Sequence, residues 1–172
     1  MARIFVRGIE GEYALKDVRE RIKKTPRVIK GKDVPWVRGP QHWIKHYVNP
    51  ETSPSQSIMI HVDTYAPGSR SQKHGHMNEA LFYVLEGKGY EIHDGKRYDW
   101  EAGDVAIVHN ACVHQHFNAD SENPVKVLVI KPKPLFNFLN LIQQGTVEDK
   151  PKEDTGFRPE GTYKMFDTSM GR

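Results

Sequence analysis

The sequence contains a single cysteine, Cys112, so no disulfide bond can form within the chain. A domain that depends on disulfides is therefore excluded, and a reducing, cytoplasmic compartment is expected. Long apolar runs are also missing, since no stretch of about eighteen apolar residues occurs. No basic segment followed by an apolar run opens the chain. Neither a membrane span nor a secretory signal is predicted.

The chain also has little excess charge, with a formal net charge of +3 over 172 residues. Much of the positive charge falls between residues 19 and 32, where lysine and arginine crowd together. Such a run is typical of a solvated helix face, and no motif that reads a nucleic-acid groove accompanies it. Nucleic acid is therefore not an expected partner. The length suits one domain that buries its own core.

Three zones are predicted along the chain: residues 1–54, 55–132 and 133–172. In the first zone, Leu15, Val18 and Ile22 have helical spacing, and this helix should end before Pro26. Several prolines then prevent long regular elements and predict an arm rich in apolar groups. This arm either packs on its own domain or crosses to a neighbouring subunit.

The middle zone predicts an all-β barrel. Short apolar runs alternate with turns at similar spacing, and Asp94-Gly95 is a strong hairpin signal. Even strand spacing with glycine turns fits a sandwich or a small barrel. After Pro132 and Pro134, the apolar residues of 135–142 predict a short helix, and the remaining residues predict a loosely ordered tail or one wrapped along a surface.

Histidines at fixed spacings are the most informative feature. Gly68 is followed after five residues by His74-x-His76, and Gly103 is followed after ten residues by His114. Two imidazoles at i and i+2 on a strand point to one face, and a third from a later strand would complete a triangular set of metal ligands. The sequence therefore predicts a metal site with open positions for substrate, water or dioxygen.

Both histidine segments resemble the two motifs of the cupin superfamily. The resembling stretches are residues 68–87 and 103–118, and the resemblance extends over about residues 58–131. It implies a double-stranded β-helix, the cupin jelly-roll barrel. Cupins usually place a metal-binding glutamate seven residues before the closing glycine, and counting back from Gly87 that position is Ala80. Glu79 lies one position early and should face the other way, but a shifted strand start would make it a further ligand.

A narrower resemblance follows from the absent glutamate. The pattern that runs from His74 to Gly87, with Trp100 to Asp104 and His-x-His-x-Asn at 114–118, looks like the gentisate and salicylate ring-cleaving dioxygenases, which hold iron with three histidines. This chain has Phe82 where that pattern often carries arginine. The resemblance therefore implies a related ring-cleaving reaction, with a carboxylate-clamping group of the gentisate pattern absent at this point.

The predicted site has four parts. His74, His76 and His114 are the predicted metal ligands. The predicted acid or base groups are His116, which is also an alternative fourth ligand, and His109. Gln72, Phe82 and Phe117 are predicted to line the substrate pocket, with Glu79 as the alternative ligand. The histidines expected to be unrelated to the metal are His42, His46, His61 and His93.

The expected function is that of a non-haem Fe(II) dioxygenase. Three neutral imidazoles leave a divalent ion its full charge, which favours an anionic chelating substrate such as a phenolate, a hydroxy-carboxylate or a diketone-like compound. Dioxygen would be the second substrate, and a homodimer is expected from the resemblance. Two alternatives stay open: an isomerase or lyase that uses Mn, Ni or Zn, and a small-molecule binder without catalysis.

Overall fold

The computed structural model describes residues 15–50 and 52–164. These residues form two short helices, one 3-10 turn and twelve strands. In chain order the elements are α1 Leu15–Lys24, the 3-10 turn Gly31–Asp33, β1 Trp36–Val37, β2 His42–Val48, β3 Met59–Tyr65, β4 Lys73–His76, β5 Ala80–Glu86, β6 Lys88–His93, β7 Lys96–Glu101, β8 Val105–Val108, β9 Val113–Asn118, β10 Val125–Lys131, α2 Lys133–Phe138, β11 Gln144–Glu148 and β12 Tyr163–Lys164.

The strands form two sheets that face each other across the core. The first sheet has the order β12-β1-β2-β3-β10-β5-β8, and the second has the order β11-β4-β9-β6-β7. All neighbouring strands are antiparallel except β1 and β12, which are parallel. The prediction of an all-β barrel is therefore confirmed, and α1 and α2 lie where helices are predicted.

The predicted arm is part of the barrel. Its residues 36–37 and 42–48 form β1 and β2, and β2 pairs with β3 over the whole strand, with His42 opposite Tyr65. The stretch between Pro40 and Pro50 is long enough for a seven-residue strand, although the prolines suggest irregular structure. The boundary predicted after residue 54 therefore divides the first sheet and does not separate an arm from a barrel.

The C-terminal tail lies along the strands of the arm. Trp36 donates a hydrogen bond from Nε1 to the carbonyl of Glu160 at 2.8 Å, and Trp43 donates one to the carbonyl of Phe157 at 3.1 Å. Both indoles are buried. The tail of the same chain thus covers these large apolar side chains. Of the two alternatives for the arm, packing on its own domain and crossing to a neighbouring subunit, the structure has the first.

The alternation of side chains along the strands determines which residues form the core. On β5 the side chains of Ala80, Phe82 and Val84 are buried between the sheets, while Leu81 and Tyr83 lie on the outer face. The buried residues pack against Val125, Val127 and Val129 from β10. Burial of apolar side chains in this layer supplies most of the driving force that holds the two sheets together.

Replacing Gly89 by alanine should destabilise the barrel. A Cβ atom at this position of β6 would overlap both the carbonyl oxygen of Phe117 and the indole ring of Trp100. A backbone carbonyl cannot move aside, so we expect a loss of about 3 kcal/mol in the free energy of unfolding. Gly145→Ala on β11 is the matched control, because a Cβ there meets open space. Urea denaturation measures both variants, and equal stability would contradict the packing described here.

Candidate metal centre

The two sheet strands β4 and β9 bring three histidines together. His74 and His76 lie on β4, and His74 is directly opposite His114 on β9. The ring of His114 is centred 4.3 Å from that of His74 and 4.8 Å from that of His76. One ring nitrogen from each histidine lies within 4.8 Å of the other two. The strand alternation that predicts a shared face therefore produces a compact set of three imidazoles.

Backbone carbonyls fix the orientation of all three rings. Nδ1 of His74 lies 3.2 Å from the carbonyl oxygen of Gln72, and Nδ1 of His76 lies 2.6 Å from that of Asn78. Nδ1 of His114 lies 3.1 Å from the carbonyl oxygen of Cys112. Because a carbonyl only accepts, each Nδ1 carries the proton and each Nε2 is left with a free lone pair. The three residues thus fit a metal ion at Nε2.

The environment also keeps these rings neutral. Burial, assisted by His116, lowers the pKa of His74 to about 4 and that of His114 to about 2. Burial lowers the pKa of His76 as well, against the hydrogen bond to Asn78. Neutral imidazole is the form that binds a metal ion, so the set needs no proton release near neutral pH.

A buried carboxylate supports His116, the neighbour of His114 on the same face of β9. Oε1 of Glu91 lies 2.9 Å from Nδ1 of His116, and Oε2 lies 2.6 Å from Nε2 of His93. Burial raises the pKa of Glu91, but the attraction and hydrogen bonds of the two histidines outweigh it and lower the pKa to about 2. His116 lines the cavity beside the three rings and is not a member of the group of three candidate ligands.

Glu79 does not enter the cavity. Its carboxylate accepts a hydrogen bond from the Asn110 side chain at 3.3 Å, and the residue is absent from the cavity wall. Ala80, the first residue of β5, is 2% exposed and faces inward, so the residue before it faces outward. Gln72 lines the cavity and, through its carbonyl, holds His74.

Two predicted site residues lie elsewhere. Phe82 lines the cavity with its ring 4.4 Å from that of His116, but Phe117 stacks on Tyr90 at 4.5 Å on the opposite face of β9. Alternation explains this, since residue 117 is one position out of phase with residues 114 and 116. His109 is also outside the cavity, in the loop after β8, with its side chain 62% exposed.

The loop after β8 and the turn between β6 and β7 together form a separate group of donor atoms. Asp94, His109 and Cys112 each place one candidate ligand atom within 4.8 Å of the other two. Nε2 of His109 lies 3.6 Å from a carboxylate oxygen of Asp94. Burial raises the pKa of the Cys112 thiol to about 11, so the thiol is protonated at neutral pH and is a poor nucleophile.

The three imidazoles open into a cavity of about 140 Å³ between the sheets. The opposite wall comes from β2, β3 and β10 and is strongly polar. It contributes His42, His61, Asp63, Tyr65 and Lys131. These residues are functional candidates that the sequence interpretation missed. The missed signal is the alternation His61-x-Asp63-x-Tyr65, which turns three polar or aromatic side chains toward one face of β3.

Positive charge surrounds the entrance of this cavity. Arg38, Lys131 and Lys150 line it, and Lys133 joins Arg38 and Lys131 in the adjoining outer cleft of about 410 Å³. Burial lowers the pKa of both Lys131 and Lys133. The nearby charge of Lys133 also lowers the pKa of Lys131. The entrance therefore favours anionic small molecules by electrostatic attraction.

The metal-free protein should lose stability as the pH falls from 7 to 5. Burial lowers the pKa of His42, His46 and His74 to about 4, so the unfolded chain binds these protons first. The contribution of these histidines to the free energy of unfolding is therefore fully present above about pH 6.5 and declines below it. Each unit of pKa difference is worth about 1.4 kcal/mol, and less for partly exposed rings. Urea denaturation with a chelator present measures this, and equal stability at both pH values would contradict it.

In residues 15–50 and 52–164, no helix has the length and apolar character that crossing a membrane requires.

Comparison with known proteins gives three related findings. The cupin domain family matches residues 61–131. A 5-aminosalicylate 1,2-dioxygenase from Comamonas is 25% identical over 100 residues, which cover 57% of this chain and 26% of that enzyme. Auxin-binding protein 4 from Zea mays is 27% identical over 89 residues, which cover 46% of this chain and 44% of that protein. The chain thus spans less than half the length of either relative.

Solved structures show the same fold. The salicylate 1,2-dioxygenase of Pseudaminobacter salicylatoxidans superposes with a TM-score of 0.56 at 19% identity, over 65% of this chain and 32% of that one. A variant of that dioxygenase has also been solved in complex with gentisate. At this level of identity the likeness establishes the barrel architecture. The chain therefore has the cupin fold, and the cupin domain family matches its residues 61–131.

Proposed function

We propose that the protein is a metal-dependent cupin oxidoreductase, a non-haem Fe(II) dioxygenase that cleaves a carbon-carbon bond of a small chelating substrate. The observation that carries this proposal is the set of three neutral imidazoles, His74, His76 and His114, whose Nδ1 protons all point to backbone carbonyls. Their free Nε2 atoms belong to the wall of one cavity. Bound there, Fe(II) would supply coordination positions for a chelating substrate and for dioxygen.

The chain's own residues would bind and orient that substrate. Phe82 and Val129 offer an apolar wall for a ring or short chain, and the cavity of about 140 Å³ limits the reacting part to a small molecule. Arg38 and Lys131 attract an anionic group at the entrance. His116, held at Nδ1 by Glu91, is placed to hold or move a proton at Nε2.

The names of the similar proteins support this chemistry. The Comamonas enzyme is a dioxygenase of 5-aminosalicylate, and the structural relative is a dioxygenase of salicylate. Both substrates carry a hydroxyl and a carboxylate on adjacent ring positions, which is a chelating arrangement. A phenolic or hydroxy-carboxylate substrate would suit the positive entrance of this cavity.

The protein is first loaded with Fe(II) under nitrogen. The test is then its consumption of oxygen once oxygen and a substrate are supplied. Salicylate, gentisate and acetylacetone represent the hydroxy-carboxylate, dihydroxy-carboxylate and diketone classes. We expect oxygen uptake and loss of substrate absorbance with at least one of them. Protein that holds one Fe(II) per chain and consumes no oxygen with any of these three would argue against the dioxygenase proposal for these substrate classes.

A second candidate function is binding without catalysis, which the likeness to auxin-binding protein 4 favours. The same site with Mn, Ni or Zn would instead serve an isomerase or lyase. Incubation of the metal-loaded protein with a ligand in the absence of oxygen separates these cases. A lyase or isomerase stays active without oxygen, whereas a binder holds its ligand unchanged for hours. Product analysis by mass spectrometry distinguishes the three.

We also propose that the protein is a homodimer. The outer face of β5 and of the edge strand β8 exposes apolar side chains that nothing in the described chain covers. They are Leu81, Tyr83, Leu85, Val105 and Ile107. A continuous apolar sheet face at an edge strand is typical of a subunit interface. Light scattering should therefore give twice the chain mass, and a monomeric mass would argue against the dimer.

A further inference from the structure

The wall of the cavity that faces the three imidazoles contains a second pair of ionisable groups. Nδ1 of His61 lies 2.6 Å from Oδ1 of Asp63, and both side chains are buried. Their nearest partners across the sheet include Val127 and Val129, which are apolar and almost fully buried. An ionised carboxylate in such surroundings costs stability, because apolar side chains of similar volume would pack there without desolvation.

The polar groups beside this pair are not fully satisfied by the protein. Nδ1 of His42 is buried and has no hydrogen-bond partner among the residues that the structure describes. The His42 ring stacks on Tyr65 at 5.1 Å, and both residues line the same cavity. A buried polar atom of this kind is satisfied when a bound water or ligand presents a polar group to the wall.

We propose that His61 is the base that removes a hydroxyl proton from the chelating substrate, and that Asp63 positions it. This inference rests on the proposed function, because the three imidazoles would hold the metal ion that receives the resulting oxygen anion. His61 and Asp63 come from β3 and the metal ligands from β4 and β9, so the reacting hydroxyl would lie between the two walls of the cavity.

The hydrogen-bond pattern sets the direction of proton transfer. Nδ1 of His61 donates to the Asp63 carboxylate, so Nε2 is the ring nitrogen with a free lone pair. The substrate O–H bond breaks, its proton goes to Nε2, and its electron pair stays on the oxygen. The Asp63 carboxylate stabilises the imidazolium that forms, as in other histidine–aspartate pairs. The proton returns to the product or to water when the product leaves.

Burial raises the pKa of Asp63, but the proximity of His61 and its hydrogen bond outweigh this and lower the pKa to about 2, so the carboxylate is charged at neutral pH. The other charged or titratable groups near His61 include His46, with its ring 5.7 Å away, and His42 and Lys131 on the same wall. The same cavity is also lined by Tyr65, Arg38, Lys150 and His116. Burial lowers the pKa of both His42 and His46 to about 4, so these two rings are neutral and do not compete for the proton near pH 7.

The test uses 4-nitrocatechol, a chelating phenol whose visible absorption changes as each hydroxyl loses its proton. The probe is titrated at pH 6.5 into Fe(II)-loaded protein under nitrogen. His61→Asn is the informative variant, because its amide can still donate to Asp63 but has no basic nitrogen. His46→Asn is the matched control, since His46 contacts His61 but does not line the cavity.

We expect the natural protein and the His46→Asn variant to bind the probe in its doubly ionised form. The His61→Asn variant should lose the absorption band of that form while its metal content and melting temperature stay unchanged. The same doubly ionised spectrum in His61→Asn, with the metal in place, would overturn this inference alone. Failure of the natural protein to hold Fe(II) would overturn the proposed function and this inference with it.

Discussion

Replacing His114 by alanine should abolish metal binding. His114 is 1% exposed, lies directly opposite His74 in the sheet and belongs to the group of three candidate ligands at this cavity. Its loss leaves two imidazoles, and even changes in groups that merely support a ligand cost about 10–100-fold in affinity. We therefore expect a loss of more than about 100-fold. Plasma mass spectrometry after dialysis against Fe(II), and then against buffer, measures the metal retained per chain.

The control for this variant is His109→Ala. His109 is also a histidine of the second motif, but its side chain is exposed and lies outside the cavity. This variant should retain the metal content of the natural protein. If His109→Ala loses the metal and His114→Ala keeps it, the ion is bound by the Asp94, His109 and Cys112 group instead, and the assignment of the centre is wrong.

Replacing Glu91 by glutamine should strongly destabilise the barrel. The carboxylate is 1% exposed and accepts hydrogen bonds from His116 and His93 with its two oxygens. A glutamine has one acceptor oxygen, so its NH₂ group must face one of the two histidines without the charge that now pairs with them. Breaking a buried pair in this way costs about 3–5 kcal/mol. Urea denaturation at pH 7 measures the difference in the free energy of unfolding.

Glu86→Gln is the matched control for this substitution. Glu86 pairs with Lys126 at 2.6 Å, but its side chain is 60% exposed. Exposed ion pairs contribute about 0–1 kcal/mol, so this variant should be nearly as stable as the natural protein. Similar losses in Glu91→Gln and Glu86→Gln would contradict the view that the buried carboxylate holds His116 in place.

The cluster of three histidines is accessible to sequence reasoning because it depends on local geometry. His74 and His76 share a face through strand alternation alone, and the glycine spacing aligns His114 with them across β4 and β9. The same alternation also bears on two other predictions. It predicts the outward direction of Glu79. It also places the Phe117 side chain on the face of β9 opposite to that of His114, so Phe117 is not expected in the pocket when the alternation is applied to it.

The opposite wall depends on packing that the sequence does not display. His61 and Asp63 reach the cavity only because β3 lies between β2 and β10 in the first sheet. The sequence interpretation assigned β2 to an arm, so it had no strand against which to orient this wall. The backbone of Arg38 has a φ of 71°, which places its side chain at the entrance. An arginine rarely adopts this conformation, and the neighbouring sequence does not predict it.

Diffraction at the iron absorption edge, from crystals grown anaerobically with Fe(II), tests the central claim most directly. We expect one anomalous peak per chain at about 2.1 Å from Nε2 of His74, His76 and His114, with each Nδ1 still facing its backbone carbonyl. Absence of a peak between these rings at full iron concentration, or a peak only at Asp94, His109 and Cys112, would contradict it.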